Sequence, residues 1–476
     1  MIQQATREIT AQRVGLWGGL ALFILMLIMP APEGMPLLAW RTAALTILMA
    51  VWWMTEALPL TGTALLPFLL LPILGVMETG KVAGAYFSPI LFLVLGGAFI
   101  ALAIERTGLH RRLALAILGQ SSGTPGSLLM AFMVATAVIS MIVSNTATAL
   151  IMMPIAVAIL AANQTPQGET NGIAGALPMG IAFAASIGGL GTLVGSPTNA
   201  IAAGLIEKSV GYEIDFLTWS SFGMPIVLIA IPLCWLILMR VQRVADGGFD
   251  ADAARSSIGE TGEWSSAEKR LVPLIALVVA GWVVLPLFGD TFPKGMIEDG
   301  SIAILGGLLL FVLPDGTGRP LLNWAEADRA PWGVIMMFGG GLALAAGISA
   351  SGLDDWLGVV LRPLADVHPI IIALALCAMV VVITEFASNV ATASGVIPVV
   401  GGLIAATGGD PALLAMSAAL AASWGFMLPS GTGPNAIGWA TGHIALPRML
   451  KAGFLLDVAG IPLIVGMVWL VSSLSS

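Results

Sequence analysis

The chain has 476 residues, of which 58% are hydrophobic and only 10% are charged, and its formal net charge is −8. Soluble domains carry about 25% charged residues, so this composition cannot cover a water-facing surface and excludes an ordinary soluble domain. The two cysteines lie within apolar segments and do not identify a redox compartment.

Apolar segments recur along the whole chain, as a multi-span helical membrane protein requires. The segments predicted to cross the membrane are 14–30, 40–57, 60–76, 88–105, 173–206, 219–239, 271–288, 300–314, 332–353, 411–442 and 452–473. Two further stretches, 127–162 and 368–407, are too long for one crossing of about 20 residues and are predicted to be helical hairpins. We therefore expect an all-α polytopic membrane protein with about 11 transmembrane helices and two re-entrant hairpins.

The tips of the two predicted hairpins carry nearly the same polar sequence. SNTATA begins at Ser144 and SNVATA begins at Ser388, an offset of 388 − 144 = 244 residues. At the same offset, Gly108-Leu109 matches Gly352-Leu353, but basic residues follow the first pair and acidic residues follow the second. Opposite charge at equivalent loops predicts two inverted repeats, which in transporters meet at a substrate site near the membrane midplane.

A second paired feature lies one span after each hairpin. GLGTLVGSPTN (189–199) interrupts one long apolar segment, and FMLPSGTGPN (426–435) interrupts the other. Proline and glycine disfavour a continuous helix, so each sequence predicts a break. Backbone groups freed at such breaks would be costly in lipid, and we therefore expect them to line an enclosed polar cavity.

The predicted organisation has four parts. Residues 1–37 form an N-terminal segment with the first span, and 38–240 form the first inverted repeat with hairpin 127–162 and broken helix 173–206. Residues 241–270 are a polar cytoplasmic linker. Residues 271–476 form the second inverted repeat, with hairpin 368–407 and broken helix 411–442.

The positions of Lys and Arg predict the orientation in the membrane. With the N-terminus in the cytoplasm and the C-terminus outside, the inner loops hold 19 − 5 = 14 of the 19 basic residues. The five on the outer side are Arg41, Lys81, Lys208, Lys294 and Arg362. The protein is thus expected to be a multi-pass protein of the cell (inner) membrane, surrounded by the lipid bilayer.

Tips and breaks together offer hydroxyls, amides, free carbonyls and helix N-termini. Small hard cations bind oxygen ligands, while anions bind amide and hydroxyl donors at the positive ends of helices. No Lys or Arg adjoins the motifs in the sequence, so a bound anion would be neutralised by cations bound with it. The residues therefore predict a cation-coupled anion transporter.

Two other classes of protein, an intramembrane enzyme and a passive anion channel, make different demands on the sequence. An intramembrane enzyme would need a nucleophile with its base or a metal cluster, and the sequence has no His-Glu-x-x-His run or Gly-x-Ser-x-Gly elbow. The protein is therefore expected not to be an enzyme, and no nucleic-acid partner is expected. A passive anion channel stays open as an alternative, which current without gradient coupling would distinguish.

The paired triplets, the paired breaks and the early sequence WWMTEALP (52–59) resemble the divalent anion:sodium symporters (DASS) over nearly the whole chain. The resemblance implies a homodimer whose protomers have a scaffold domain and a transport domain that moves as an elevator. It also implies sodium-coupled symport of C4-dicarboxylates such as succinate, malate and fumarate into the cell. The alternatives are a sodium-independent dicarboxylate exchanger and a carrier of another anion, such as sulfate or citrate.

The resemblance also assigns residues to sites. The first Na⁺ site would use Ser140, Ser144, Asn145 and the backbone of Gly195; the second would use Thr384, Ala387, Asn389 and the backbone of Gly431. Substrate carboxylates would meet Asn145-Thr146 and Asn389-Val390, with Ser196-Pro197 and Thr432-Gly433 nearby.

The chain departs from the family pattern at several of these positions. Val390 replaces a hydroxyl residue of the second triplet, and Ser196 stands for Thr. Thr198 and Gly433 stand where proline is usual. A lost hydroxyl removes one donor to a carboxylate, so these departures concern the identity and affinity of the substrate more than the transport cycle.

Overall fold

A computed structural model gives the architecture of residues 2–121, 124–245, 262–286, 293, 296–407 and 410–475. Within these ranges, every regular element is helical apart from one isolated bridge between Pro314 and Pro320. The first half contains α1 (Ile2–Ile28), α2 (Leu37–Thr55), α3 (Leu60–Thr63), α4 (Leu66–Ile73), α5 (Thr79–Ala85), α6 (Pro89–Thr107), α7 (Leu109–Leu118), α8 (Pro125–Ser140), α9 (Asn145–Ala162), α10 (Gly172–Gly189), α11 (Pro197–Val210) and α12 (Phe216–Val241). The second half contains α13 (Ser266–Val284), α14 (Asp299–Val312), α15 (Trp324–Ala327), α16 (Trp332–Ser351), α17 (Leu353–Val360), a 3₁₀ helix (Arg362–Asp366), α18 (Pro369–Phe386), α19 (Asn389–Thr407), α20 (Pro411–Ala421), α21 (Gly433–Ala440) and α22 (Leu446–Ser475).

The helix lengths and compositions fit a membrane-embedded bundle. Among the described residues, ten helices are long and apolar enough to cross a membrane, and α8, α14 and α20 are apolar but shorter. The predicted all-α multi-pass fold is confirmed. The predicted linker 241–270 lies partly outside the described residues, which omit 246–261.

Each predicted hairpin is a pair of helices joined by a short polar tip. The first tip (140–146) joins α8 to α9, and the Ser144 hydroxyl caps α9 by accepting from the backbone of Ala147. The second tip (384–390) joins α18 to α19, and the Ser388 hydroxyl accepts from the backbone of Ala391 over 3.2 Å. Serine is a favoured N-cap, so the repeated polar sequence starts a new helix at each tip.

Each predicted broken helix is interrupted at its Gly- and Pro-rich sequence. The first break (190–196) separates α10 from α11, and the second break (422–432) separates α20 from α21. Ser196 and Thr432 cap the helices that follow, and a proline lies in the first turn of each. Proline is tolerated there because the first turn lacks intrahelical partners for its N–H groups.

The helices build two hydrophobic cores. The larger core centres on α10, of which 89% of the apolar window is buried, and α10 packs against α8, α9, α12 and α21. The smaller core joins α2 to the short helices α3–α5 and to α16. Apolar residues of the first tip and of both breaks belong to the larger core, and the second tip borders both cores through Val390.

Local structure also repeats at the paired Gly-Leu sequences. Gly108 follows α6 as its C-cap with φ 76°, and Gly352 follows α16 as its C-cap with φ 72°. Both helices therefore end at a residue in the left-handed region, which glycine favours. The short helices α7 and α17 then begin at once. These two helices were not predicted from the sequence, and the predicted span 60–76 is divided into α3 and α4.

Candidate functional site

In the first half, Ser140 and Asn145 bring the tip against the break. The Ser140 hydroxyl donates to the carbonyl of Ala185 over 2.7 Å, and its oxygen lies 2.9 Å from the Asn145 amide. When the Asn145 amide is oriented with its NH₂ group toward Ser140, it donates to the Ser140 hydroxyl and also to the carbonyl of Gly195 over 3.3 Å. Hydroxyl, amide and carbonyl groups of the tip and break thus converge in one small region.

The second half builds the same arrangement from equivalent residues. The Thr384 hydroxyl donates to the carbonyl of Ala422 over 2.7 Å, and its oxygen lies 2.9 Å from the Asn389 amide. Both Ser140 and Thr384 are fully buried. The positions predicted from the repeat therefore occupy matching places in two similar clusters. We call the cluster around Ser140 and Asn145 the first cradle and the cluster around Thr384 and Asn389 the second cradle.

Two further asparagines hold the breaks in shape. The Asn199 amide donates to the carbonyls of Gly189 (2.7 Å) and Thr192 (2.8 Å), and the Asn435 amide donates to Leu428 over 3.1 Å. Both asparagines are fully buried, and their Oδ1 atoms have no hydrogen-bond partner within the described ranges. Sequence reasoning did not single them out, although the two quoted break sequences both end at these asparagines.

The two halves meet around a single cavity of about 560 Å³. The predicted site residues that line it are Ser144, Asn145, Thr146, Ser196, Pro197, Asn389, Val390, Gly431, Thr432 and Gly433. The four that do not line it are Ser140, Gly195, Thr384 and Ala387, all of which are buried. The structure therefore places the predicted substrate residues on the cavity surface and part of the predicted cation residues behind them.

Small residues let the tips pack closely against neighbouring segments. A Cβ at Gly433 would lie 2.4 Å from the Thr146 hydroxyl of the opposite half, and a Cβ at Gly189 would lie 2.1 Å from the nearest atom of the Asn145 amide group in its own half. Real Cβ atoms essentially never show such distances. Gly433, which stands where the family usually has proline, thus makes room for the hydroxyl of the opposite tip.

The cavity has positive ends of helices on its surface. The N-caps of α9, α19, α11 and α21 are Ser144, Ser388, Ser196 and Thr432, and all of them line the cavity. Each helix N-terminus carries a partial positive charge and orphan N–H donors. This arrangement favours an anion with more than one acidic group.

The side chains of the two cradles offer neutral oxygens rather than carboxylates as ligands for a cation. In the described part of the chain, no group of three or more His, Cys, Asp or Glu residues could hold a metal ion. Hydroxyl, amide and carbonyl oxygens suit hard monovalent cations. The one acid in a tip, Glu385, is buried, and its carboxylate accepts from the backbone of Met427 (2.9 Å) and Leu428 (3.0 Å).

Two charged residues of the cavity were not predicted. Among the described residues that line it, only Glu105 and Arg329 carry charge, and both side chains are partly exposed. They lie 329 − 105 = 224 residues apart in the sequence and far from either motif. No local sequence pattern could therefore have identified them as residues of the site.

Paired breaks around a polar cavity in a membrane-embedded helical bundle are the architecture of secondary transporters. The family description "Sodium:sulfate symporter transmembrane region" matches residues 11–474. The chain therefore belongs to this family, the divalent anion:sodium symporters, and the resemblance seen in the sequence is confirmed.

The chain is similar to curated relatives over almost its whole length. It is 38% identical to the sodium-dependent dicarboxylate transporter SdcS of Staphylococcus saprophyticus, covering 96% of this chain and 91% of the relative. It is 37% identical to SdcS of Staphylococcus aureus, covering 97% and 91%. These relatives are transporters rather than enzymes.

A solved structure has a similar fold. The Alcanivorax borkumensis YdaH transporter superposes with a TM-score of 0.57 at 17% identity, covering 90% of this chain and 97% of that one. At this level of identity the similarity concerns the fold alone.

Proposed function

We propose that the protein couples the inward movement of sodium to the uptake of C4-dicarboxylates such as succinate, malate and fumarate. The observation that carries the proposal is the pair of matched cradles, Ser140–Asn145 and Thr384–Asn389, behind one cavity that four helix N-termini face. Relatives named as sodium-dependent dicarboxylate transporters add support.

In this proposal each cradle binds one sodium ion. The first ion is bound by Ser140, Ser144, Asn145 and the Gly195 carbonyl. The second is bound by Thr384, Ala387, Asn389 and the Gly431 carbonyl. In each cradle the hydroxyl oxygen lies 2.9 Å from the amide group, and this proximity supports a shared ion.

The substrate lies between the cradles. One carboxylate is bound by Asn145-Thr146 with Ser196-Pro197 nearby, and the other by Asn389-Val390 with Thr432-Gly433 nearby. Because an unpaired buried ion costs several kcal/mol, the dianion requires compensating charge, which two sodium ions supply. A further sodium ion would make transport electrogenic.

The family resemblance extends the proposal to the assembly. The protein acts as a homodimer, and in each protomer a transport domain with the tips and breaks moves as an elevator against a scaffold domain. The N-terminus lies in the cytoplasm and the C-terminus outside. Labelling single cysteines with a membrane-impermeant thiol reagent in intact cells tests this orientation: residues near Asp355 should react and residues near Arg111 should not.

Reconstitution in proteoliposomes tests the transport mode. Uptake of labelled succinate should require external sodium and should be driven by an inward sodium gradient. Uptake without sodium that occurs only in vesicles preloaded with dicarboxylate would show an exchanger instead. Competition by unlabelled sulfate or citrate that exceeds competition by succinate would show a carrier of another anion.

A further inference from the structure

Glu105 and Arg329 lie next to each other in the lining of the cavity, and both side chains are exposed to solvent. The guanidinium Nη1 of Arg329 lies 3.9 Å from Oε1 of Glu105, which is the outer limit of an ion pair. The side chain of Arg329 is 55% exposed and that of Glu105 is 40% exposed. An ion pair this long and this exposed contributes little to stability, so both side chains are free to take other partners.

The backbone of Arg329 is held by a hydrogen bond, whereas its side chain forms the long, exposed ion pair with Glu105. The N–H of Arg329 donates to the carbonyl of Glu326, at the end of a helix that begins with a capping box between Asn323 and Glu326. The Glu326 carboxylate pairs with Arg319 over 2.7 Å and with Nε of Arg106 over 3.3 Å. These contacts hold the segment 315–329, called the platform below, so that Arg329 lies beside the cavity.

The same platform is joined to α6, the helix that carries Glu105. Arg106 binds the carbonyls of Pro320 and Leu321 and the carboxylate of Asp315. Hydrogen bonds from Thr317 and then from Arg106 hold the pKa of Asp315 well below its usual range, so this carboxyl stays ionised. Consecutive residues of α6 thus have separate tasks, because Arg106 anchors the platform and Glu105 faces the cavity.

The remaining lining of the cavity is neutral. Within the described part of the chain, Arg329 is its one cation, and the tip residues that line the cavity supply only dipoles and uncharged donors. A dianion that approaches from solvent therefore meets Arg329 as its first fixed positive charge. In a cleft with low-dielectric walls such a charge raises the local concentration and association rate of the opposite ion.

We propose that Arg329 is the residue that draws the dianionic substrate into the cavity, and that Glu105 competes with the substrate for Arg329. The inference rests on the proposed function, because it assumes that the transported molecule is an anion. When the cavity is empty, Glu105 holds the guanidinium loosely. An arriving carboxylate displaces Glu105, and Arg329 still attracts the dianion once it lies at the tips, because both line the same cavity.

Three variants separate this role from a structural ion pair. Arg329→Gln removes the attracting charge, and Glu105→Gln removes the competitor. Arg329→Lys keeps the charge and should keep most of the affinity. Arg111→Gln is the matched control, because Arg111 is exposed on α7, does not line the cavity and changes the net charge by the same amount.

Equilibrium binding of radiolabelled succinate to detergent-solubilised full-length protein provides the measurement, at fixed low sodium with choline chloride to vary ionic strength. At low ionic strength, Arg329→Gln should weaken succinate binding roughly fivefold and Glu105→Gln should tighten it about twofold. Both differences should shrink at high ionic strength because salt screens exposed charges. Arg111→Gln should bind like the wild type.

The outcomes distinguish the inference from the proposed function. If Arg329→Gln and Glu105→Gln change the affinity in the same direction, or if neither changes it, the steering role is wrong while the transport proposal stands. If the wild-type protein itself shows no sodium-dependent succinate binding, the proposed function fails first.

Discussion

An asparagine amide supports both breaks, but a threonine hydroxyl adds to this support in the first break and a carboxylate adds to it in the second. In the first, the Thr192 hydroxyl donates to the carbonyl of Met141 and accepts from the backbone of Gly195 over 3.1 Å. In the second, the position equivalent to Met141 is Glu385 (385 − 141 = 244), whose carboxylate accepts from two backbone N–H groups. The two cradles have the same hydroxyl and amide contacts although their supports differ.

Among the tip and break residues, this difference places a carboxyl group next to one cradle only. A Cβ at Gly431 would lie 3.8 Å from Oε2 of Glu385, so the carboxylate is close to the backbone proposed to bind the second sodium ion. No acid occurs among residues 140–146 or 190–196 of the first half. Because a nearby negative charge favours a bound cation, we expect the second cradle to bind sodium more tightly than the first.

The amides common to both cradles should show the largest effect. Asn145→Ala and Asn389→Ala should each reduce succinate uptake by roughly 100-fold, because each amide is proposed to serve ion and substrate, and each buried polar contact contributes about 1–3 kcal/mol. Uptake by each purified variant in proteoliposomes is the measurement, with size-exclusion chromatography as the control for folding. Near-normal uptake by either well-folded variant would exclude the tips as the site.

Close packing differs between the two halves, and alanine substitutions test it. Gly189→Ala should reduce uptake about tenfold, since its Cβ would lie 2.1 Å from the nearest atom of the Asn145 amide group and overpacking costs about 1–3 kcal/mol. Gly425→Ala should have a smaller effect, because its Cβ would lie 3.0 Å from the Thr384 methyl group. Uptake rate and thermal unfolding temperature are measured together, and equal effects on both variants would contradict the packing difference.

Removing the charge beside the second cradle tests the expected asymmetry. Glu385→Gln should raise the sodium concentration for half-maximal uptake by roughly fivefold, about 1 kcal/mol, because the carboxylate no longer favours the cation. Thr192→Val is the comparison variant, since it loses a supporting hydroxyl of the first break without changing charge. A larger sodium shift in Thr192→Val than in Glu385→Gln would reverse the proposed order of the two cradles.

The cradle hydroxyls can be removed one at a time. Ser140→Ala and Thr384→Val should each raise the half-maximal sodium concentration by about threefold, since one neutral oxygen ligand contributes about 0.5–1.5 kcal/mol. The shift should be smaller for Thr384→Val, because Glu385 still favours the second ion. Sodium titrations of uptake at saturating succinate measure both shifts, and an unchanged titration in either variant would remove that hydroxyl from the ligand set.

The smallest effect is expected at the triplet position where the halves differ. Val390→Thr restores the hydroxyl that Thr146 has in the first tip, and should improve succinate affinity by about twofold through one added hydrogen bond. Competition of unlabelled dicarboxylates against labelled succinate measures the change. Weaker succinate binding would show that the second tip prefers an apolar group next to its substrate.

The sequence predicted the tips and breaks because each is encoded locally. Ser144 and Ser388 are N-caps, and the prolines after Ser196 and Thr432 are in helix first turns, so the chemistry that ends and restarts each helix lies within a few residues. The duplicated spacing then identified which polar residues belong together.

Other features depend on contacts between distant segments and could not be read locally. Glu105 and Arg329 line the cavity because α6 packs against the segment before α16. Glu385 supports the second break only because that break folds against its side chain. The near-complete burial of α10 likewise results from the packing of the whole bundle, because its sequence does not differ in kind from the other apolar segments.

The number of sodium ions moved with each substrate tests the two-cradle proposal most directly. Wild-type proteoliposomes would be given labelled sodium and labelled succinate together, and the initial rates of substrate-dependent sodium uptake and sodium-dependent succinate uptake would be compared. Two occupied cradles predict at least two sodium ions for each succinate. A ratio of one, or succinate uptake without accompanying sodium, would contradict the proposal that both cradles bind a transported ion.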